Sequence, residues 1–577
     1  MSDAVGSKVE QIKIASNQLR GAIAEELVKD AEPFSQESYQ LLKFHGIYQQ
    51  DDRDVRSERT RQGLGLDHIC MVRLSVPGGV LTGEQYLALD KLCDAVGNGT
   101  LRITSRAGLQ FHFVRKGDLV SLMRTLNDHL VTTFGACGDV VRNTTCCPAP
   151  LAGRARAEVA ALTQEVAHRF RPRTQAYYQL WLDGEPAVTA SAPDAEPLYG
   201  SSYLPRKFKI GFAAPGDNCI DVLGNDVGLV PMVDGDSLCG FTVFVGGGMG
   251  RSHNKPETFP RLATPLATIA PGELMETLDA IISVYRDHGD RGNREHARMK
   301  YVVEEWGIER FRTEVEKHLQ RPLAKPEPIT FDRSDDHLGW HPQGDGTWFL
   351  GVKVDNGRII DRDGRWVRSA VRAVVERFSA DVRLTTKEDL LITDIAEHDR
   401  TAVDALLASH GVAPAEQLVA IRRNSFACPA LPTCGLALTE SERALPGVLD
   451  ELIGELAAIG LDGLDTHVRM TGCPNGCARP YTAEIGLVGR GKSSYDIHLG
   501  GEPLGIRLNR IFAENVPRSE LVKVLRPVLE HYRDHRHANE GFGDFCARVG
   551  VERLRADLGT ESWVRKPRPI RTGATPA

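Results

Sequence analysis

A chain of 577 residues that is 41% hydrophobic is too long for one core and is expected to divide into about three or four structural units. Its net charge of -7 is small for that length, and no stretch clusters Lys or Arg with interleaved aromatics, which argues against nucleic acid as a partner. The first residues lack a charged leader followed by an apolar run, and no segment supplies the roughly 18 apolar residues of a bilayer span, so no membrane is expected and the cytoplasm is the default compartment.

In chain order, HICMVRLSV reads as a strand, GEQYLALDKLCDAV as a helix, TLRITS and GLQFHFV as strands, and LVSLMRTLNDHL as a helix. The same order returns later as WFLGVKVDNGRII, a helix near SAVRAVVERF, DVRLTT, DLLITDI and a helix near RTAVDALLASHG. The letters repeat as well. GTLRITSRAGLQFH (99–112) aligns with ADVRLTTKEDLLIT (380–393), setting Arg102 on Arg383, Thr104 on Thr385, Arg106 on Lys387 and Leu109 on Leu390. At the same offset RNTTCCPAP falls on RNSFACPAL, matching Arg142 to Arg423, Asn143 to Asn424 and Cys147 to Cys428. After a small shift RKFKIGF echoes YTAEIGL, and FTVFVGGGMG echoes YDIHLGGEPLG. The expected fold is α+β: duplicated modules of mixed sheet plus helices, related by a pseudo-twofold axis, with ligands between the halves.

The 12 cysteines are unevenly spread. Cys70, Cys93, Cys137, Cys219, Cys239 and Cys546 stand alone and are read as small buried hydrophobes. CPALPTC carries Cys428 and Cys434, and TGCPNGC carries Cys473 and Cys477, with a helix near PGVLDELIGELAAIG between them. The prolines and glycines inside each pair forbid regular helix or strand, so sulfurs and amide N–H groups converge on one point. Four thiolates fit a zinc ion or a four-iron cluster, and the wide gap in CPALPTC favours iron-sulfur. Copy one lacks a second such pair, so no metal is expected at Cys147. Arg102, Arg106, Gln110 and His112 fall at even spacing and are read as one polar strand face. Lys207 and Lys209 face one side of an extended segment, where mutual repulsion would lower one amine's pKa.

CPALPTCGLALTESERALP followed by VRMTGCPNGCARPYTAEIGLVG closely resembles the siroheme and four-iron-cluster signature of sulfite and nitrite reductases. LKFHGIYQQDDRDVRSER, RITSRAGLQFH, GACGDVVRN, YLPRKFKIGF, VGGGMG and NEGFGDFCARVG are similar, in the same order, to assimilatory sulfite reductase hemoproteins, so the resemblance covers nearly the full length. It implies a six-electron reduction of sulfite to sulfide at siroheme coupled to a [4Fe-4S] cluster, with siroheme nitrite reduction as the alternative. A zinc-stabilised, non-enzymatic binding protein is the competing reading from another class.

The resemblance also assigns roles. Cys428, Cys434, Cys473 and Cys477 hold the cluster, and Cys477 bridges it to the siroheme iron. Asn475 tunes the cluster through hydrogen bonds. Siroheme is a polycarboxylate, so its cradle is assigned to Arg102, Arg106, Gln110, His112, Gly246, Gly247, Gly248, Arg298 and Lys300. Arg73, Arg142, Lys207 and Lys209 are the cations set against sulfite, and Tyr48, Cys146 and Cys147 are placed near that face. Ala107 and Gly108 depart from the Gln-Thr that relatives tend to carry.

The implied division is an extended N-terminal arm (1–65), a first ferredoxin-like half (66–141), a first siroheme and substrate module (142–334), a second ferredoxin-like half (335–422) and a second module with the cluster (423–577). No Gly-rich dinucleotide fingerprint is present, so electrons are expected from a protein donor, by preference a diflavin NADPH reductase subunit and otherwise ferredoxin.

Overall fold

The computed structural model describes residues 6–29, 33–173, 181–182, 185–186 and 196–564. Two half-units carry the repeat. The first is an antiparallel sheet ordered Ile47–Asp51, His68–Arg73, Leu109–Val114, Leu101–Ile103, with helices Gly83–Val96 and Leu119–Asp128. The second is ordered Gly339–Pro342, Thr347–Val352, Leu390–Ala396, Asp381–Leu384, with helices Val367–Phe378 and Arg400–Ser409. Hairpin register is copied too: Ile103 lies opposite Leu109 in one half, and Leu384 opposite Leu390 in the other.

Local chemistry starts these elements where the pattern places them. The Thr82 hydroxyl accepts from the Gln85 N–H at 3.1 Å, and the Gln85 carboxamide accepts from the Thr82 N–H at 3.1 Å. That reciprocal cap opens the helix Gly83–Val96, which buries Tyr86, Leu89, Leu92, Cys93 and Val96 along one stripe.

Each half gives the other its outermost strand. Val80–Leu81 pairs with Asp381–Leu384, and Arg358–Ile359 pairs with Leu101–Ile103. A single apolar core therefore runs through both halves, packing Leu81, Leu101 and Phe111 with Val352, Ile359, Val371 and Ile392. Arg368 of the second half clamps Asp90 and Asp94 of the first at 2.6 Å.

Two further modules have cores of their own and mixed sheets. In one, Ile210–Phe212 runs parallel to Val227–Asp234, which is antiparallel to Ser237–Val245, with Thr264–Ile269 at the edge. In the other, Phe426–Ala427, Val468–Thr471 and Ile485–Gly491 are parallel, and Ser494–Leu499 and Arg510–Pro517 follow antiparallel. Val227–Asp234 is thus the counterpart of Ile485–Gly491, and Ile210–Phe212 answers to Val468–Thr471. The echo of RKFKIGF with YTAEIGL is one strand out of register, because short Ile-Gly-apolar strands are spelled alike.

The echo of FTVFVGGGMG with YDIHLGGEPLG does hold. A Cβ on Gly247 would sit 2.2 Å from the Leu223 carbonyl, and one on Gly501 2.2 Å from the Ala483 carbonyl, so the same close backbone approach recurs. The N-terminal segment is not extended: it forms helices Lys8–Ala15, Ile23–Leu27, Gln36–Leu42 and Arg56–Arg61 around the edge strand Ile47–Asp51. Its buried Lys13 ammonium donates to the Leu204 carbonyl at 2.8 Å, which ties it to the first module. No helix among the described residues is long and apolar enough to cross a membrane.

Candidate active site

The second module brings its cysteine pairs together. Cys428 follows the strand Phe426–Ala427, and Cys473 and Cys477 lie in the loop after the neighbouring parallel strand Val468–Thr471. The Gly472 N–H donates to Cys428 Sγ at 3.4 Å. Cys473 accepts from the Asn475 backbone and side-chain amides, and Cys434 from the amides of Leu436 and Ala437. Burial pushes the Cys428, Cys434 and Cys473 thiols up, Cys473 to about 12, and the adjoining Cys477 pushes each further. Thiols raised in this way lose their protons together only against a cationic centre.

A zinc tetrahedron with bonds of about 2.3 Å holds its sulfurs about 3.8 Å apart. Among the described residues, the set of three or more donor atoms all within 4.8 Å of one another is Cys147, Asp217, Cys219 and His337, not the four motif cysteines. N–H groups aimed at the sulfurs of Cys428, Cys434 and Cys473 fit a four-iron cluster.

Cys477 is the exposed member of the four. The Ser105 hydroxyl donates to its carbonyl at 2.8 Å, which sets the turn between Leu101–Ile103 and Leu109–Val114 against it. Arg73 faces the same thiol. Its Nη1 lies 2.9 Å from Cys137 Sγ and its guanidinium 5.8 Å from the Tyr48 ring centre. Gln110, its amide turned so that oxygen faces Arg73, accepts from Nε at 3.0 Å and Nη2 at 2.6 Å. Burial and the neighbouring Cys137 raise Tyr48 to about 12.

Beyond Arg73 lies an excess of positive charge. Lys207 and Lys209 flank the buried Phe208 and both keep partial solvent access. Neither ammonium makes an ion pair or a side-chain hydrogen bond among the described residues. Burial lowers Lys207 well below the ordinary amine value, with Arg206 and Arg142 adding to it. Lys209 is lowered by burial and then by Arg106 and Arg298. The mutual repulsion expected from their spacing ranks behind these arginines. Arg142 donates Nε and Nη2 to the Gly138 carbonyl at 3.1 Å. The nearby carboxylate, Asp226, is already held by Arg298 at 2.9 Å and by the Lys209 N–H. Enclosed cations without counter-charges form a cradle suited to carboxylates and an oxyanion, so the donors present fit a polycarboxylate macrocycle.

The other predicted residues sort by their partners. Arg102, Arg106, Gln110 and His112 do not share one strand: Arg102 and Gln110 are cross-strand partners in a hairpin, His112 is on the second strand and Arg106 is in the turn. The turn closes at Ala107, with φ of 50°, and a Cβ on Gly108 would stand 3.0 Å from the Leu74 carbonyl. The small pair is what this tight turn accommodates. Arg102 donates to Glu388 at 2.8 Å and to the Ala427 carbonyl at 3.0 Å, joining the halves.

Arg106 donates to Asn225 at 2.6 Å and to the carbonyls of Asn143 and Ile210, and burial and then Arg142 hold it down at about 9. Among the described residues both ring nitrogens of buried His112 lack partners, as do Nε of Arg102 and of Arg106. Gly246, Gly247 and Gly248 press against Val303, Asn225 and Arg298. Lys300 donates to the carbonyls of Gly248, Gly250 and Phe259, and burial lowers it to about 6.

Sequence reasoning missed two neighbours. Cys137 stands beside Arg73 and Tyr48, whereas Cys146 is buried and Cys147 faces His337. Arg53, within the YQQDDRD motif, donates to the Cys434 carbonyl at 3.2 Å and the Ala437 carbonyl at 2.6 Å, clasping the CPALPTC loop.

Family comparison matches this architecture. The nitrite and sulphite reductase 4Fe-4S domain covers residues 164–323 and 422–566, and the nitrite/sulfite reductase ferredoxin-like half domain covers 62–129 and 341–410. The chain belongs to the nitrite and sulphite reductase family, and it is an enzyme. It is 46% identical over 568 residues to the ferredoxin sulfite reductase of Synechococcus elongatus, covering 95% of this chain and 90% of that protein. It is 44% identical over 549 residues to the NADPH sulfite reductase hemoprotein beta-component of Acidithiobacillus ferrooxidans, covering 95% and 97%. The solved structure of the Mycobacterium tuberculosis NirA protein superposes with a TM-score of 0.77 at 25% identity, covering 94% of this chain and 97% of that one.

Proposed function

We propose that this chain is the hemoprotein of an assimilatory sulfite reductase, reducing sulfite to sulfide in the cytoplasm. The observation that carries the reading is the enclosed group of cations, with Lys207 and Lys209 unpaired among the described residues and Arg73 within electrostatic reach of Cys477. Siroheme and the [4Fe-4S] cluster supply the electron transfer that no side chain can provide. Cys428, Cys434, Cys473 and Cys477 would hold the cluster. The unpartnered nitrogens of His112, Arg102 and Arg106 would meet the macrocycle.

The protein's own task is to bind an oxyanion and move protons to it. The planar guanidinium groups of Arg142 and Arg73 suit anion capture. Lys207 and Lys209, lowered by burial and by neighbouring cations, release protons readily and suit donation to departing oxygen. Tyr48, raised to about 12, keeps its proton and serves as a hydrogen-bond donor.

Electrons are assigned to a separate protein, a diflavin NADPH reductase subunit by preference and ferredoxin as the alternative. Relatives of both kinds match this chain. The first four residues of YQQDDRD lie in the edge strand Ile47–Asp51 and its Arg53 clasps the CPALPTC loop, which supports a donor approaching on this side. The test is the visible spectrum of the purified protein followed by turnover on an artificial donor, sulfite against nitrite. Siroheme absorption with preferred sulfite turnover supports the reading. A colourless protein, or preferred nitrite turnover, refutes it.

A further inference from the structure

The first module holds a second cluster of metal-type ligands at the position where the second module begins its iron-sulfur site. Cys147 is the repeat partner of Cys428. Asp217 and Cys219 lie in the loop after Ile210–Phe212, the counterpart of the strand that precedes Cys473 and Cys477. His337 arrives from the start of the second half. The donor atoms of these four side chains all lie within 4.8 Å of one another, and Asp217, Cys219 and His337 are buried.

Two of the pairwise distances have the scale of one ion. Cys147 Sγ is 3.4 Å from His337 Nε2, and His337 Nε2 is 3.8 Å from Asp217 Oδ2. Ligands of a tetrahedral zinc with bonds of about 2.0 to 2.3 Å stand about 3.3 to 3.8 Å apart. Among the described residues Asp217 Oδ2 has no hydrogen-bond partner, although its residue is 1% exposed, and the Arg333 guanidinium stands 4.0 Å from it. The sister oxygen Oδ1 is fixed by the N–H groups of Cys219 at 2.9 Å and Asp335 at 3.1 Å, which leaves Oδ2 free to face His337. Asp335 also lies 3.7 Å from His337 Nδ1, so a carboxylate backs the imidazole on the side away from Cys147, as is usual for metal-bound histidine.

The geometry points to a mononuclear structural zinc site formed by Cys147, Asp217, Cys219 and His337, distinct from the four-cysteine site. Two thiolates, one imidazole and one carboxylate make a closed donor set that suits zinc and leaves no coordination position for substrate. Binding would release the thiol protons. The ion would pin the loop of the first module to the stretch entering the second half. The repeated position would then hold a metal in both copies, of different kinds, against the expectation that copy one holds none.

The holoenzyme, produced with zinc and iron both in supply and freed of loosely bound metal, should carry about one zinc per chain beside its iron. Zinc K-edge spectroscopy should show two sulfurs at about 2.3 Å and two lighter ligands at about 2.0 to 2.2 Å. Cys219→Ser and His337→Gln should each lower zinc at least roughly fivefold while iron content and the visible spectrum hold. Cys428→Ser should do the reverse. Should Cys219→Ser yield no soluble protein, Asp217→Asn keeps the side-chain shape and reads the same loss. Wild-type zinc below about 0.2 per chain, zinc unchanged in these variants, or a Cys147–Cys219 disulfide in the fresh protein each overturns the assignment.

Discussion

Cys477 is the residue on which the most rests. A hydroxyl is a poor iron ligand, so Cys477→Ser should remove the cluster and the coupled siroheme spectrum. Normal iron and acid-labile sulfide in that variant would sink the ligand assignment. The cations divide by chemistry. Arg142→Ala should raise the half-saturating sulfite concentration, while Lys207→Ala and Lys209→Ala should bind sulfite but turn it over slowly and release partly reduced sulfur, each by roughly tenfold or more. Steady-state rates on an artificial donor, corrected for siroheme loading, decide this. Wild-type kinetics in all three variants would show that these side chains do not face substrate.

At this scale the sequence was legible where partners are close along the chain. The two cysteine pairs could be read because spacing and Pro-Gly content act locally. The roles proposed for Lys207 and Lys209 rest on resemblance, since their local pattern is equally that of a surface strand. Cys147 and His337 are 190 residues apart, and nothing periodic links them. Cys137 and Cys219 looked like single buried thiols because their partners come from other elements.

Among elements, the hairpins and helices of the two halves were readable from period and capping, as GEQYLALDKLCDAV and its Thr82–Gln85 cap show. Register was less so. RKFKIGF was set against the wrong strand because strand spelling is short and degenerate, while hydrogen-bonded neighbours decide the match. The loop CPALPTC continues into Gly435 and Leu436, and Leu436 is 68% exposed beside a cluster cysteine. The protein donor proposed above is predicted to dock here. Leu436→Glu should slow turnover with the physiological donor several-fold and leave turnover with a small artificial donor unchanged. Equal slowing with both would place docking elsewhere.

Across the whole molecule, ion pairs join what separate cores would leave loose. Asp221 of the first module accepts from Arg469 Nη1 at 2.8 Å and from Arg479 Nε in the second. Burial opposes its charge, but Arg469 and Arg479 outweigh burial and hold it at about 2 against an ordinary 3.8. A depressed carboxyl contributes stability that is complete above pH 3.8 and is lost as pH falls through about 2. Asp221→Asn should destabilise by about 3 to 5 kcal/mol at neutral pH, and its deficit should shrink below pH 4. A denaturant series across that range measures it, and a pH-independent deficit would contradict the assignment.

The traded outer strands carry a consequence for how the chain is tied together. Val80–Leu81 and Arg358–Ile359 pair between halves as strands pair between two polypeptides. The covalent connection then acts as a leash that raises local concentration, without being part of the fit. A molecule severed in the exposed stretch near 324–328 and made as two co-expressed fragments should reassemble and co-elute as one species. Either fragment alone should aggregate through the bare edge its missing mate would have covered. Fragments that stay soluble and separate would show that the covalent link, rather than the reciprocal pairing, holds the halves in place.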